Sequence, residues 1–354
     1  MHKPVNHWMN AIQVGFTIVG TVIGAGFASG QEILQFFVAF GKQGLWGLFL
    51  ASLLFGVLTH LVVVTAAELR VRSHLELLMR TTSGWMARAV DGMLLCFLVI
   101  STALMLTGAG TVLEQHSGFN RMLGTVLAAL IVVLVASGPS TSVVRFNVIL
   151  VPVLIVTLCG LGGKALGQAL KYSHVPTWKA AVNPYVTHWW MAALIHPAYN
   201  IFLAMSGLSS ISGSVSPRSG VLGAWLGSGI IALLLVCVSL ALWIAGPDIH
   251  RYPVPTLVVA QQTHPWLGWA SILSMLAAML TTAVVNVYGM ARRLAEEVPW
   301  RHSWLTAAIV ALSLPLSYFE FVVIVGTAYS AIGYIALVFF GYWLLKLAIP
   351  SQPR

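Results

Sequence analysis

The residues best placed to do chemistry lie in one glycine-rich apolar run near the start of the chain. Four glycines fall within eleven residues, and a glutamate follows two positions later: Gly20, Gly24, Gly26, Gly30 and Glu32. Because glycine costs roughly 1 kcal/mol relative to alanine inside a helix, this spacing predicts an unwound segment that lines a binding cavity. Tight helix packing is the alternative, since the glycines also have small-xxx-small spacing. Packing alone does not explain the adjacent carboxylate.

Glu32 is the acid that lies closest to the middle of an apolar segment. An ionised carboxylate at that depth of a membrane costs at least about 2.5–3.5 kcal/mol, so such residues are functional by default. Three roles are open: pairing in an outer gate, carrying a proton, or anchoring a broken helix through its freed amides. We favour anchoring together with gating, because nothing in the sequence indicates that Glu32 titrates.

A second apolar run carries the pair His196-Pro197 near its middle, followed by Tyr199 and Asn200. Proline removes an intrahelical donor and clashes with the carbonyl four residues back, which predicts that this helix is also kinked or interrupted. Paired interruptions at corresponding places in two halves of a chain indicate the binding site of a transporter. His60 and His196 lack a second ligand at a recognisable spacing, so we expect no metal site at either.

The composition indicates the environment in which these residues act. The chain has 354 residues, of which 58% are hydrophobic and 8% charged, whereas soluble domains have about 45–50% apolar and about 25% charged residues. This excludes an ordinary soluble enzyme, a disordered protein and a fibrous protein, and it indicates an all-α integral membrane protein. The net charge of +9 is not gathered on a soluble domain, so we expect no nucleic-acid partner.

Ten apolar runs are long enough, or nearly so, to span a bilayer as helices, which need about 20 residues each. The runs are Ala11 to Phe40, Leu45 to Ala67, Val90 to Leu113, Met122 to Ser137, Val148 to Leu166, Trp189 to Ile211, Gly220 to Ile244, Leu267 to Met290, Trp304 to Tyr318, and Phe321 to Leu347. Five fall in residues 11–167 and five in residues 188–347. Because five is odd, the second half enters from the opposite side. The prediction is a single membrane domain built as a 5+5 inverted repeat, with helices 1 and 6 interrupted.

Basic residues set the expected orientation. With ten spans and a cytoplasmic N-terminus, ten arginines fall inside and two, Arg121 and Arg251, fall outside, in keeping with the positive-inside rule. The ten inside are Arg70, Arg72, Arg80, Arg88, Arg145, Arg218, Arg292, Arg293, Arg301 and Arg354. The lysines do not follow this bias, because two of them, Lys3 and Lys346, fall inside and four fall outside. We therefore expect both termini in the cytoplasm and a multi-pass protein of the cell membrane.

Two connections between spans carry further expectations. The inner segment from Leu69 to Arg88 mixes leucines with arginines, which predicts a helix lying at the membrane surface. The outer segment from Gly246 to Trp266 carries four prolines around an apolar patch, Thr256 to Ala260. That patch fits either a hairpin folded into the outer mouth or a tethered loop.

Three segments carry a family resemblance: TVIGAGFASGQEILQFF (Thr21 to Phe37), LTTAVVNVYGMARRL (Leu280 to Leu294) and VGTAYSAIGYIALVF (Val325 to Phe339). They resemble the YkvI family of bacterial membrane proteins, and the likeness runs over nearly the whole chain. That family is placed in the amino acid–polyamine–organocation superfamily, which has the LeuT-type 5+5 fold. The resemblance therefore implies a fold and a transporter class more than a particular solute.

Sodium-coupled proteins of this fold share a cation site made by carbonyls before the first break and by hydroxyls on the eighth span. The resemblance carries that site over to the following residues: the carbonyls of Gly20, Ile23 and Ala278, and the hydroxyls of Thr281 and Thr282. Five oxygen ligands suit a hard cation such as Na⁺. The alternative is that both threonines bond to their own helix backbone, as they commonly do in membrane helices.

The solute is expected between the two interruptions. Free amides at the first break would hold a carboxylate, as in other proteins of this fold. The candidate contacts are Gly24, Ala25, Gly26, Ser29, Gly30, Tyr199, Asn200 and Ser101, with Thr102 beside Ser101. Tyr199 also suits a packing role with a satisfied hydroxyl.

These features predict a secondary transporter of an amino acid or similar small organic solute, working by alternating access around a midplane site between the first and sixth spans. The predicted coupling ion is Na⁺, and the alternative is a proton. The alternative is a transporter-fold receptor that binds a small molecule without moving it. An enzyme is not expected, since the sequence has no H-E-x-x-H pattern, no paired midplane aspartates and no serine–histidine arrangement. The expected partners are the solute, the lipid bilayer and the coupling cation, with no other cofactor.

Overall fold

The computed structural model describes residues 7–71, 73–138, 140–172, 177–180, 183–212, 215–295 and 297–348. Within these ranges the chain is helical almost throughout, which confirms the all-α prediction. The described part of the chain also contains one isolated antiparallel β-bridge, between Phe40 and Lys179. Lys3, Arg72 and Arg354, which we used to assign the orientation, lie outside the described residues.

Fourteen α-helices follow one another along the described residues. They are α1 (His7–Val22), α2 (Ala25–Ser29), α3 (Gln31–Ile33), α4 (Lys42–Leu69), α5 (His74–Thr81), α6 (Gly84–Ser117), α7 (Arg121–Ala136), α8 (Ser140–Tyr172), α9 (Trp189–Ser212), α10 (Pro217–Ala245), α11 (Pro255–Thr263), α12 (Pro265–Leu294), α13 (His302–Ser313) and α14 (Phe321–Ala348). A π-helical turn covers Leu34–Val38, and 3-10 turns cover Pro247–Arg251 and Leu314–Tyr318.

Seven of the described helices are long and apolar enough to cross a membrane. They are α4, α6, the Pro152–Lys171 part of α8, α9, α10, α12 and α14. Helices of this length match the roughly 30 Å hydrocarbon core of a bilayer. The chain is therefore a multi-pass membrane protein. The other three predicted spans are also helical but shorter or divided: α1 with α2 and α3, then α7, and then α13 with the turn that follows it.

The first predicted span, Ala11 to Phe40, is divided twice. α1 ends at Val22, and Ile23 and Gly24 are non-helical before α2 begins. Gly30 then separates α2 from α3 with a φ of 79°. This left-handed conformation carries no steric penalty in glycine, which has no Cβ.

The expected interruption of the sixth span is wrong for this structure, because α9 runs as one helix from Trp189 to Ser212 across Pro197. A proline inside a helix removes a single donor. The Asn200 side chain donates through Nδ2 to the carbonyl of His196 (3.0 Å), next to that defect. The carbonyl that loses its donor is that of Ala193, one turn earlier, so the Asn200 bond adds to the helix beyond the proline. Packing by neighbouring helices allows membrane helices to tolerate proline without a break.

The sixth span, α9, lies in the interior of the helix bundle. α9 is the most buried of the seven candidate spans, and it packs against α4, α14 and α1. α1 also packs on α10, and α2 contacts α6, α11 and α12. The break between α1 and α2 is therefore enclosed by other helices, as irregular backbone in a membrane must be.

Both predicted connections contain helices. In residues 69–88, α5 is amphipathic, and His74 Nε2 lies 2.7 Å from Asp91 Oδ1 on α6. Asp91 also pairs with Arg293 of α12 at 3.0 Å.

In residues 246–266, the apolar patch forms α11, whose side chains Thr256, Leu257 and Ala260 are buried. Of the two alternatives for that segment, the folded-in arrangement is the one observed, with α11 packed against α10 and α12.

Candidate functional site

Regular backbone hydrogen bonding stops at the first break. The amide of Gly24 donates to the carbonyl of Val22 (3.0 Å), and not to that of Gly20 four residues back. The amide of Ala25 donates to Met105 Sδ on α6 (3.2 Å). The carbonyl of Gly20 has therefore lost the amide that a continuous helix supplies, and its oxygen can accept from or ligate another group.

Two side chains hold α2 in place beyond the break. Thr256 of α11 donates through Oγ1 to the carbonyl of Ala28 (2.7 Å). The hydroxyl of Ser29 donates to the carbonyl of Gly26 (3.0 Å) and accepts from the amide of Gln31 (3.3 Å). Ser29 thus stabilises the turn that contains it.

Glu32 folds back from α3 across the broken segment. Its side chain is buried (2% exposed), and its Oε1 lies so close to Gly26 that a methyl group there would overlap it. Tyr199 of α9 donates its hydroxyl to Glu32 Oε2 (2.5 Å). His196 Nε2 lies 3.3 Å from the same oxygen. In the described contacts Glu32 is bonded to the sixth span, and the freed amides of the break are not among its partners.

Apolar rings surround this contact. The His196 ring is fully buried, with its centroid 5.6, 5.0 and 5.5 Å from those of Phe36, Phe37 and Phe55. Neither of its nitrogens makes a hydrogen bond among the described residues, because the approach to Glu32 lacks hydrogen-bond geometry. An acid, an imidazole and a phenol therefore share one small volume in apolar surroundings.

A cavity of about 40 Å³ opens beside the break, bordered by α1, α3, α6, α9, α12 and α14. This space holds a few water-sized groups. Six of the predicted site residues line it: Gly20, Gly24, Glu32, Ser101, Asn200 and Thr282. The structure thus gathers residues from the first, third, sixth and eighth predicted spans at one place.

The other predicted site residues lie outside the cavity lining. They are Ala25, Gly26, Ser29, Gly30, Tyr199, Ile23, Ala278 and Thr281. All eight are buried, so they pack within the protein instead of facing the cavity. Thr102 also faces its own helix, because its hydroxyl donates to the carbonyl of Leu98 (2.8 Å).

The two threonines of the eighth predicted span differ. Thr281 Oγ1 donates to the carbonyls of Ala277 (2.9 Å) and Ala278 (3.0 Å), as the alternative interpretation expected. Thr282 lines the cavity together with Gly20, and its Oγ1 is buried without a hydrogen-bond partner among the described residues. Because buried hydroxyls are nearly always satisfied, such an atom indicates a site for a ligand or water.

The lining residues that the sequence did not single out as site residues include Met105, Asn286 and Tyr329. Asn286 Nδ2 donates to Ser101 Oγ (3.2 Å), and the Tyr329 ring stacks on Tyr199 with centroids 4.6 Å apart. Asn286 and Tyr329 lie inside the segments that carry the family resemblance, so a polar side chain within a matching apolar segment was the available signal. Met105 offered none, because it is an apolar residue in an apolar helix.

Sequence comparison finds relatives that span almost the whole chain. The chain is 25% identical over 340 residues to the uncharacterized membrane protein YkvI of Bacillus subtilis (strain 168), covering 96% of each protein. It is 24% identical over 332 residues to the protein YyaD of the same organism, covering 93% of this chain and 95% of the relative. No family model matches the sequence.

Solved structures share the fold. MhsT in complex with L-phenylalanine aligns with a TM-score of 0.68 at 15% identity, covering 97% of this chain and 92% of MhsT. The inward-facing Mhp1 gives 0.61 at 13% identity, covering 92% and 73%. A substrate-bound, outward-open Na⁺-coupled sialic acid symporter gives 0.62 at 13% identity, covering 95% and 78%. The resemblance predicted from the sequence is thereby confirmed: the chain is similar to YkvI over almost its whole extent and has the fold of the LeuT-type transporters.

Proposed function

We propose that this protein is a secondary transporter that moves an amino acid or a similar small organic solute by alternating access. The observation that carries the proposal is the broken first span beside a cavity that has Gly20, Glu32 and Thr282 in its lining. Unwound segments of membrane helices provide unpaired backbone groups for solutes and ions. A fold neighbour solved with L-phenylalanine supports the amino-acid class, and a fold neighbour that is a symporter supports transport over catalysis.

The ten helical stretches are assigned as ten spans in two inverted repeats, residues 11–167 and 188–347. Both termini are assigned to the cytoplasm and the protein to the cell membrane. In the proposed cycle, the first, second, sixth and seventh spans rock as one bundle against the others. A continuous α9 is compatible with this motion, because the bundle moves as one body.

The solute is assigned to the space between α1, α6 and α9. The backbone amides at the start of α2 are assigned to a carboxylate group of the solute. Ser101 and Asn200 supply the nearby side-chain oxygens that an ammonium group requires, since both line the cavity. When the bundle rocks open in the proposed cycle, the cavity would become larger. It would then admit a solute bigger than the few water molecules that fit in its present volume.

Na⁺ is assigned to the carbonyls of Gly20, Ile23 and Ala278 and the hydroxyls of Thr281 and Thr282. The buried Thr282 Oγ1 without a hydrogen-bond partner supports this assignment. The bonds that Thr281 donates to its own helix use the hydroxyl hydrogen, so the lone pairs of its oxygen stay available to a cation. A set of carbonyl and hydroxyl oxygens suits a hard cation.

The proposal is tested by uptake of a panel of labelled amino acids into proteoliposomes under an imposed Na⁺ gradient and, separately, an imposed proton gradient. We expect saturable uptake of at least one solute that disappears when the gradient is dissipated. Uptake equal to that of empty liposomes for every solute would contradict a transporter. Saturable binding of a solute without flux would instead establish the receptor alternative.

The cation assignment is tested by Thr282→Val, which keeps the side-chain shape and removes the hydroxyl. We expect the Na⁺ concentration for half-maximal uptake to rise about tenfold or more, since loss of about 1.4 kcal/mol of ligand binding is a tenfold change. Thr327→Val is the matched control, because the Thr327 hydroxyl donates to its own helix at the exposed surface of α14. An Na⁺ response in Thr282→Val equal to that of the control would refute the assignment.

A further inference from the structure

Two of the three cysteines of the chain lie beside each other on different helices. Cys159 belongs to α8 and Cys237 to α10, and these two helices pack together. The thiol groups are close enough for a hydrogen-bonding and electrostatic interaction between the two side chains. Both cysteines are free and half-buried. Because they are far apart in the sequence, only the packing of the two helices creates this pair of thiols.

A glycine on α8 allows the two helices to approach closely at this point. A methyl group at Gly162 would lie 2.6 Å from Cys237 Cα and 2.7 Å from its Sγ, so no larger residue fits between the helices there. Cys159 precedes Gly162 by three positions, and residues three apart lie on the same face of a helix. Cys159 therefore faces α10 from the neighbouring turn. The Cβ atoms of a disulfide are about 3.5–4.5 Å apart, and helices packed this closely bring the two thiols within reach of such a bond.

An open pocket gives small molecules a route toward the pair. Its volume is about 240 Å³, and it lies between α8, α10 and α11. Leu161, just beyond Cys159 on α8, forms part of its wall, as does Ala241, one turn beyond Cys237 on α10. The lining also includes Lys164, which is exposed. Water and small polar molecules can therefore come within about one helical turn of the thiols, a rise of about 5.4 Å.

We propose that Cys159 and Cys237 form a redox-sensitive site at which hydrogen peroxide creates a disulfide between α8 and α10. Peroxide oxidises one thiol to a sulfenic acid, and one water molecule is released. The second thiol then attacks the sulfenic sulfur, the S–S bond forms, and the hydroxyl group leaves with the thiol proton as a second water molecule. The two thiols together lose two electrons, which the peroxide accepts. A dithiol reductant reverses the reaction.

The disulfide would join two helices that the transport cycle moves relative to each other. This consequence rests on the function proposed above, in which the seventh span, α10, rocks with the bundle while the fifth span, α8, stays with the other helices. A disulfide has a narrow range of lengths and angles, so the linked helices can no longer slide or rotate past each other. Oxidation is therefore expected to lock the transporter and reduction to release it. Formation of the bond does not depend on transport.

Peptide mapping by mass spectrometry tests the bond on the full-length protein in liposomes. After treatment with hydrogen peroxide and alkylation of the remaining thiols, we expect a linked pair of peptides that contain Cys159 and Cys237. The pair should separate on addition of dithiothreitol. This result is obtained with the wild-type protein, so it does not require a variant to fold. Both thiols still open to alkylation after peroxide, or both converted to sulfinic or sulfonic acids without a link, would overturn the proposal.

Cys237→Ser removes one partner of the pair, and Cys96→Ser is the matched control, because Cys96 is an exposed cysteine on α6. We expect the linked peptides in Cys96→Ser and no intramolecular link in Cys237→Ser. The absence of the link from folded Cys96→Ser, or an intramolecular link that persists in Cys237→Ser, would overturn the assignment of the two partners.

Uptake of the labelled amino acids into the same liposomes tests the lock. We expect peroxide to lower uptake by the wild type about tenfold or more, because turnover requires the conformational step that the link blocks. Dithiothreitol should restore uptake, and Cys237→Ser should keep its uptake after peroxide. Equal uptake by linked and reduced wild type would overturn the lock. A protein that forms the link and takes up no solute even when reduced would overturn the transport function alone, so the two failures are distinguishable.

Discussion

The first and sixth predicted spans carry different kinds of helix breaker, and they behave differently. The glycine-rich first span opens at Ile23 and Gly24, whereas α9 continues through Pro197. Several glycines accumulate a cost of roughly 1 kcal/mol each, and they also permit close approach by other groups. A proline removes one donor, and Asn200 supplies an extra bond beside it. The density of glycine therefore decides which of these two helices opens.

The two spans also depend on each other. The broken span is held by groups from outside it: Met105 of α6, Thr256 of α11 and Tyr199 of α9. The continuous α9 supplies a rigid surface on which Glu32 is fixed. An open helix in a membrane is stable where a closed helix and its neighbours satisfy the groups that it frees.

Gly26→Ala is expected to have the largest effect on this contrast, since the new methyl would overlap Glu32 Oε1. Overpacking costs about 1–3 kcal/mol, and losing the Tyr199 bond adds about 0.5–1.5 kcal/mol. Thermal unfolding should show a clearly lowered midpoint. Gly160→Ala is the control, because nothing lies within 4 Å of a methyl there. Equal midpoints in the two variants would show that Glu32 does not pack on Gly26.

Gly30→Ala should have the next largest effect. Its φ of 79° costs an L-residue about 1–2 kcal/mol, and the new methyl would lie 2.6 Å from Thr256 Cγ2. We expect reduced thermal stability and partial recovery in the double variant with Thr256→Ser, which removes the contacting methyl and keeps the hydroxyl. Full recovery would mean that backbone strain contributes nothing at this position.

Thr256→Val should have a smaller effect, about 0.5–1.5 kcal/mol, because it removes one hydrogen bond to the carbonyl of Ala28. Hydrogen exchange is the suitable measurement, and amides of residues 25–29 should exchange faster. Thr263→Val on the same helix is the control, since that hydroxyl bonds to its own helix at Val259. The idea that α11 secures the broken span is wrong if both variants leave exchange in α2 unchanged.

Pro197→Ala should have the smallest effect. Because α9 is already continuous, alanine restores a donor and improves helix propensity, so the unfolding midpoint should stay the same or rise. Uptake should persist in proteoliposomes. A stable variant with reduced uptake would mean that the sixth span opens during the transport cycle, which would restore the symmetry expected from the sequence.

Part of the site could be predicted because its signals are local. The glycine cluster with Glu32 is visible in thirteen consecutive residues, Gly20 to Glu32, and it marks the break that the structure contains. The role of Ser29 was not visible, because a serine that bonds to its own turn and one that contacts a solute have the same local sequence. Asn286 and Tyr329 lie far along the chain, and only packing brings them to the cavity.

The membrane environment, the helical class and the position of the first break could all be predicted from the amino-acid sequence, because hydrophobicity and glycine content act over short stretches of chain. Tertiary structure decided that α9 remains continuous, that Thr281 bonds to its own helix while Thr282 keeps an open oxygen, and that Glu32 meets Tyr199 and His196. Thr281 and Asn200 bond within their own helices. The contacts of Glu32 and the open oxygen of Thr282 depend on which groups from distant helices reach a buried polar atom. Such partners are set by three-dimensional packing, which no local pattern records.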